Sequence, residues 1–412
     1  MTDAGEGSGP PDAPELDDGG RGPTDLAGAA ATPVRAALAA GDPLPGTAGF
    51  AGLLDGRLVR DALGRRPLFA EPDWSPADPD SWAADPTALA EPVRVPPGVA
   101  RTSAADGETT AAASSDERVW SIPSLPAATD RDAAVERVRD AVLGGVRDVD
   151  SRNLAVAFSG GVDSALVAAG VPDAPLYVVG FPGSHDVAAA REAARAMNRE
   201  DDLRVVELAH EDLLRAVPRI VAATGRTNAM DVSIALPLFL VAEAAAADGH
   251  DRLAVGQGAD ELFGGYAKVV SPAEDARVDA DTVRGARRET VETLPNQLER
   301  DVLALLAAGV EPVAPLLGDR VVAAALPLPG DLLATPDERK VALRRVARDV
   351  LPSDVAAADK KAVQYGSYAS RELDRLARRA GFKRRMDDHV GRYVRDLAGV
   401  DAGADGRILD PR

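Results

Sequence analysis

The chain reads as an α/β protein: a parallel sheet with helices on both faces, preceded by a smaller, mainly β N-terminal region. Three observations predict it. From residue 154 onward, short apolar runs at 154–158, 176–181, 203–208 and 253–256 alternate with helical stretches, and strands spaced by helices form parallel sheets covered on both sides. The first run ends in a glycine-rich turn, Ser159-Gly160-Gly161-Val162-Asp163-Ser164, that opens into a small-residue helix at 165–170. Before residue 118 the pattern changes, and between 46 and 100 short extended pieces such as Arg57-Leu58-Val59-Arg60 lie between turn residues.

Bulk composition narrows the function. At 412 residues there is room for two or three domains. The chain has no cysteine, which excludes disulfides, thiolate metal sites and cysteine nucleophiles. The four histidines are scattered and suggest no metal site of their own. Net charge is -19, and only five of the 47 basic residues are lysine. This acidic, alanine-rich, lysine-poor composition resembles that of proteins from salt-loving archaea, in which surface carboxylates maintain solubility. It disfavours a nucleic-acid partner, because phosphate attraction needs positive charge and is screened by salt. No run approaches 18 uninterrupted apolar residues and the first ten residues are acidic, so the expectation is a soluble, unexported, cytoplasmic protein with no membrane contact.

Taken in order, residues 1–45 are rich in Gly, Pro, Asp and Ala without periodicity and are expected to form a disordered acidic tail. Residues 46–118 form the N-terminal β region and end in a polar linker at 101–118. The stretch 119–370 carries the α/β domain. Its entry helix is expected at 130–149, where Val135, Val138, Val142, Val146 and Val149 fall at helical spacing. Further helices are expected at 186–198, at 211–224 with a kink at Pro218, and at 233–247. Residues 371–412 are read as a charged C-terminal helical segment and tail, whose cluster Lys383-Arg384-Arg385 is a solvated face.

The glycine turn carries the first chemistry. A strand that ends at a helix start aims unpaired backbone N–H groups at one point, where the helix dipole also favours negative charge. Phosphate belongs there. The lysine of the usual nucleotide loop is absent; Asp163 instead offers a metal ligand, and Ser159 and Ser164 offer hydroxyls. A second motif follows the fourth run: Gly256-Gln257-Gly258-Ala259-Asp260-Glu261-Leu262-Phe263-Gly264-Gly265-Tyr266. Its glycines admit close backbone approach, and Asp260 is placed to share a magnesium ion with Asp163 through phosphates.

The SGGxDS string resembles the pyrophosphate loop of the ATP pyrophosphatase superfamily, and with GQGADELFGGY the chain resembles the asparagine synthetase and beta-lactam synthetase family. The resemblance implies an adenine nucleotide alpha hydrolase-like fold with ATP and Mg2+ as cofactors. It places ATP on Ser159, Gly160, Gly161, Asp163, Ser164 and Gly256, the metal on Asp163 and Asp260, and the adenine against the strand around Val179 and Gly180 in Val179-Gly180-Phe181-Pro182-Gly183-Ser184-His185-Asp186. The implied activity is an AMP-forming ligase of asparagine synthase type, which activates a small carboxylate, such as aspartate, and aminates it.

Three departures bear on the amination step. Gln257 stands where the family usually has Glu and the beta-lactam branch Tyr, beside the attacking amine, so an amide replaces a proton acceptor. Glu311, in Gly309-Val310-Glu311-Pro312-Val313-Ala314-Pro315-Leu316-Leu317-Gly318-Asp319, matches the glutamate of the VExRxPFLD stretch with one residue inserted and the arginine lost, and is the candidate base. Lys360 matches a mobile-loop lysine that stabilises charge on pyrophosphate and the tetrahedral intermediate, with Ala358 in place of that loop's arginine. Asp61-Ala62-Leu63-Gly64-Arg65-Arg66-Pro67-Leu68-Phe69 and Arg94-Val95-Pro96-Pro97-Gly98 resemble pieces of the family's glutaminase domain, but the nucleophilic cysteine is absent. The implied N-terminal region is a degenerate remnant, and nitrogen comes from ammonia, another amine or a separate glutaminase. Two readings stay beside this one: an ATP-dependent RNA-modifying enzyme of the same superfamily, and a nucleotide-binding homologue without catalysis.

Overall fold

Five parallel strands form the centre of the chain in a computed structural model that describes residues 24–104, 114–358 and 363–400. They are β9 (Leu154–Ala157), β10 (Leu176–Gly180), β11 (Leu203–Glu207), β12 (Arg252–Ala254) and β13 (Glu311–Val313), in the order β11-β10-β9-β12-β13. The first four were expected. The fifth is a three-residue strand at the sheet edge that contains Pro312, where the missing N–H costs no ladder bond to a further strand.

Strand periodicity sorts the core into two halves. Leu154, Val156, Leu176 and Val178 face one side, where they meet Val138, Val142 and Leu166. Ala155, Tyr177, Val179 and Leu253 face the other and meet Leu213, Leu236 and Phe239. β9 and β10 thus bury both rows of their side chains, which is why these segments read as continuous apolar runs. The helix Ala229–Ala247 is long and apolar enough to cross a membrane by length and composition. Here Val232, Leu236 and Phe239 are fully buried against the sheet, and Asn228 caps the helix by accepting from the Asp231 N–H at 2.9 Å. The helix His210–Thr224 runs through Pro218 and ends at Gly225, whose φ of 66° closes it in the left-handed region.

The N-terminal region is built from two antiparallel sheets. The larger has the order β1-β2-β3-β7-β8, from β1 (Asp25–Ala27), β2 (Ala51–Leu54), β3 (Arg57–Arg60), β7 (Val99–Thr102) and β8 (Ser115–Arg118); the smaller has β5-β4-β6, from β4 (Phe69–Ala70), β5 (Trp82–Ala83) and β6 (Val93–Arg94). Two expectations are corrected here, for the stretch before residue 45 and for the linker. The stretch before residue 45 holds β1 and a helix at Ala31–Ala40, because Val34 and Ala37 pack against Phe50, Leu54 and Trp120. The linker at 101–118 begins and ends in strands β7 and β8, which pair with each other. The charged C-terminal stretch is two helices, Ala369–Arg379 and His389–Ala398. There, Arg384 of the basic cluster is held by Asp374 at 2.9 Å. The residues expected in the tail at 1–23 and the C-terminal 401–412 lie outside the described residues.

Charge fastens the two regions together. Asp61 accepts from the Leu63 and Arg65 N–H groups and from Arg65 Nε at 2.9 Å, and Arg65 Nη1 then reaches Asp319 at 2.8 Å. Asp319 also accepts from the Thr47 N–H at 2.7 Å. Glu299, 1% exposed, sits between Arg94 at 2.7 Å and the fully buried Arg60 at 3.4 Å. A buried arginine whose carboxylate is removed becomes an uncompensated charge. Glu299→Ala is therefore expected to lower the unfolding free energy by about 3–5 kcal/mol, measured as a fall in the denaturant midpoint at unchanged slope; an unaltered midpoint would show that the pair does not hold the regions together.

Candidate active site

Above the C-terminal ends of β9, β10 and β12 lies a cavity of about 380 Å3. Ligands bind parallel sheets at this end. Ser159, Asp163, Ser164, Val179, Gly256, Gln257 and Asp260 all line it, so the two glycine motifs, about a hundred residues apart in sequence, meet across one space. Gly160, Gly161 and Gly180 are not among its lining residues.

The glycine turn is tighter than the sequence suggests. Its helix begins at Val162 and not at Ala165, so Asp163 and Ser164 sit in the first helical turn, where the dipole favours the carboxylate. Gly160 has φ of 75°, and a Cβ there would lie 2.5 Å from the Ala189 carbonyl oxygen. Only glycine fits. Ser164 Oγ accepts from the Ser159 N–H at 3.2 Å and donates to the Gly161 carbonyl at 3.1 Å. The two serines thus brace the turn.

Lys340, absent from the sequence-based set, occupies the centre. Its Nζ lies 2.6 Å from Asp163 Oδ2 and 2.6 Å from Asp260 Oδ1. The residue is 7% exposed and holds φ of 58°, a left-handed conformation rare outside glycine. Burial alone would lower the ammonium pKa, but Asp163 and Asp260 outweigh it and raise it, so the group stays charged. Close approach depends on Gly265, where a Cβ would lie 1.9 Å from Asp260 Oδ1 and 2.3 Å from Lys340 Cε. The one available signal was its rarity: Lys340 is one of five lysines in the chain.

The residues fit a divalent cation. Asp163 Oδ1 is buried with no hydrogen-bond partner among the described residues, and such an unsatisfied oxygen suits a cation. Magnesium is commonly bound by one or two carboxylates together with substrate phosphates, and Asp163 and Asp260 supply that set. No cluster of three or more His, Asp or Glu side chains able to hold a metal occurs among the described residues. A cation held here would take Asp163 and Asp260 as its protein carboxylates.

A second polar group lines the same cavity. Gln257 Nε2 donates to Asp301 at 2.7 Å, Arg300 Nε donates to the other Asp301 oxygen at 2.7 Å, and Arg300 Nη1 continues to Asp231 at 2.7 Å. Glu261 is 7% exposed and accepts from the Tyr266 hydroxyl at 2.5 Å. Burial, and then the neighbouring Asp260, push its pKa up to about 7. Asp301, Glu261 and Tyr266 were missed because each becomes chemical only through a partner remote in sequence or hidden by burial.

The structure places Glu311 elsewhere. It opens β13 opposite Arg252, is about half exposed, and pairs with Arg66 at 2.7 Å. It lines an adjoining cavity of about 210 Å3 and not the larger one. Gln257 lines both and is their common wall. Lys360 lies outside the described residues. The chain before it is held by Arg344, which donates to the carbonyls of Ala356 at 2.9 Å and Ala358 at 3.0 Å.

The chain is similar in sequence to known proteins. The family described as asparagine synthase matches residues 136–289 and 271–398. A Methanocaldococcus jannaschii protein that bears the name of a glutamine-hydrolysing asparagine synthetase is 29% identical over 296 residues, 63% of this chain and 54% of its own length. Asparagine synthetase 1 of Bacillus subtilis, named as glutamine-hydrolysing, is 33% identical over 150 residues, 34% of this chain and 23% of its own. The nodule asparagine synthetase of Pisum sativum is 30% identical over 125 residues, 27% of this chain and 21% of its own. The chain thus spans about half or less of the length of these relatives. With the family match running through both glycine motifs, Lys340 and the C-terminal helices, the chain belongs to the asparagine synthase family.

Proposed function

We propose that the chain is an ATP-dependent amide-forming synthetase that activates a small carboxylate as its adenylate and releases pyrophosphate. The observation that carries this reading is the convergence of the glycine turn with the Asp163–Lys340–Asp260 cluster in one cavity. Backbone N–H groups and a buried ammonium at one place serve a polyphosphate. Bound Mg2+, held by Asp163 and Asp260, would neutralise charge on the leaving pyrophosphate.

In the first step a substrate carboxylate oxygen attacks the α-phosphorus of ATP, the bond from that phosphorus to the bridging oxygen breaks, and pyrophosphate leaves. Lys340 turns from the two aspartates toward the phosphate oxygens as these arrive, since its ammonium is the buried cation nearest both carboxylates. In the second step an amine nitrogen attacks the acyl carbon, AMP departs, and the amine gives up a proton. Glu261, held near neutrality, and Asp301 are the carboxylates in the cavity able to take it. Glu311 and Gln257 flank the adjoining cavity, which is the side from which the amine comes. Lys360 assists at the phosphates, and nitrogen is delivered as ammonia or another amine, or by a separate glutaminase, because the chain has no cysteine to hydrolyse glutamine.

The test is turnover of labelled ATP in concentrated salt with aspartate and other small carboxylates, supplied with ammonia. AMP and pyrophosphate are the expected products; ADP and orthophosphate would sink the reading. Asp163→Ala is expected to cut the rate by about a hundredfold or more, the scale set by removing one preorganised charge-stabilising group, while far-ultraviolet circular dichroism stays unchanged.

Gly265→Ala probes the same cluster from the backbone side. Its methyl group would fall on Asp260 and Lys340, so ATP affinity, measured by calorimetry in the presence of magnesium, is expected to drop by about tenfold or more, equivalent to losing one charge-assisted contact. Retained affinity would place the nucleotide away from this cluster.

A further inference from the structure

A third cavity, of about 270 Å3, shares no lining residue with the other two. It lies between the segment at 122–125, Leu326 and the helix Val283–Glu292, whose first turns contribute Thr282, Arg284, Arg287 and Arg288. Three arginines, Arg284, Arg287 and Arg288, line this cavity. Arg287 is 3% exposed; its Nη2 donates to the Leu326 carbonyl at 2.7 Å, while Nε and Nη1 are buried with no hydrogen-bond partner among the described residues. Arg284 repeats the pattern: Nη2 donates to the Leu125 carbonyl at 2.7 Å, and its buried Nε has no partner among the described residues. Arg288 binds Glu292 at 2.9 Å, within its own helix.

Buried donors without acceptors are costly, and a buried guanidinium without a counter-charge more so. Among the other buried arginines, Arg60, Arg65, Arg101 and Arg300 meet carboxylates, and Arg344 donates to the carbonyls of Arg339, Ala356 and Ala358. At Arg287, burial and the like charges of Arg284 and Arg288 push the pKa down to about 10. We infer that this cavity is a binding site for a tetrahedral oxyanion, phosphate either free or as the head of a small phosphomonoester, held by Arg284 and Arg287 at the N-terminal half of the Val283–Glu292 helix. A dianion answers two uncompensated guanidiniums better than a single carboxylate does, and the helix dipole adds to its attraction. The same helix packs against the Ala259–Phe263 helix that bears Asp260.

The test follows thermal unfolding of the full chain against added inorganic phosphate, with sodium chloride at matched ionic strength and glycerol phosphate as parallel arms. The wild type is expected to show a saturable rise in midpoint with phosphate beyond that with chloride. Arg284→Gln and Arg287→Met are each expected to weaken that response by about tenfold, the scale of one charge-assisted hydrogen bond. Phosphate taken by the glycine turn would act equally on all three proteins, so the difference isolates the arginine site. Without phosphate, Arg287→Met should be no less stable than wild type, since it removes a buried unpaired charge. Should Arg287→Met fail to fold, the half-exposed Arg284→Gln carries the comparison. Stronger response to glycerol phosphate identifies an esterified ligand, and stronger response to inorganic phosphate a free one. Equal responses in wild type and variants, or a rise matched by chloride, would overturn the site.

Discussion

The ion cluster of Lys340 with Asp163 and Asp260 is the constraint on which the rest of the molecule depends. Two carboxylates that follow the adjacent strands β9 and β12 approach one ammonium at 2.6 Å each. Such closeness is tolerable only because the backbone gives way around it. Gly256 passes where a Cβ would lie 2.9 Å from that of Asp163, Gly265 does the same beside Asp260, and Lys340 itself takes a left-handed turn to start the helix Val341–Ala347. A left-handed non-glycine residue is strained and persists when its surroundings over-determine it. Here the two aspartates do so. The strain, the glycines and the carboxylates form one device around a single internal cation.

Around that device the chain is arranged to keep the sheet rigid. Both faces of β9 and β10 are buried, and the N-terminal sheets are tied to the α/β domain by Arg60, Arg94 and Glu299 and by Asp61, Arg65 and Asp319. The segment that resembles a glutaminase fragment, residues 61–69, thus serves in this chain as the fastening of one region to the other. Arg66 reaches Glu311 from the same segment and closes one side of the adjoining cavity.

What could be read from the sequence follows the range of the forces involved. The glycine turn, the alternation of strands and helices, and both aspartates were legible because their signals are contiguous: a buried run, a turn that only glycine permits, a helix start. Lys340 was not, since its meaning comes from residues 177 and 80 positions away that only the fold brings near. Asp301 and Glu261 needed burial and partners to become distinctive. The helix Ala31–Ala40 was hidden by composition: alanine, proline and glycine look structureless until Trp120 and Phe50 give Val34 something to pack on. β13 was hidden by Pro312, which is tolerable only at a sheet edge. Lys360 lies outside the described residues, so its role rests on resemblance alone.

Gln257 shows how one substitution becomes intelligible in place. Resemblance leads one to expect glutamate there, and an amide looks like a loss of chemistry. Yet its Nε2 lies 2.7 Å from Asp301, a residue only 6% exposed. A carboxylate at 257 would face another at hydrogen-bond distance in a poorly solvated space, and two such groups do not both ionise. The amide turns that repulsion into a donated hydrogen bond, and Arg300 neutralises the far oxygen of Asp301. The negative charge at this wall of the cavity is therefore kept but carried by Asp301, on the helix Leu294–Ala307 that also supplies Glu299 to the N-terminal region. Docking of the N-terminal sheets and placement of Asp301 at the wall of the cavity thus depend on the same helix.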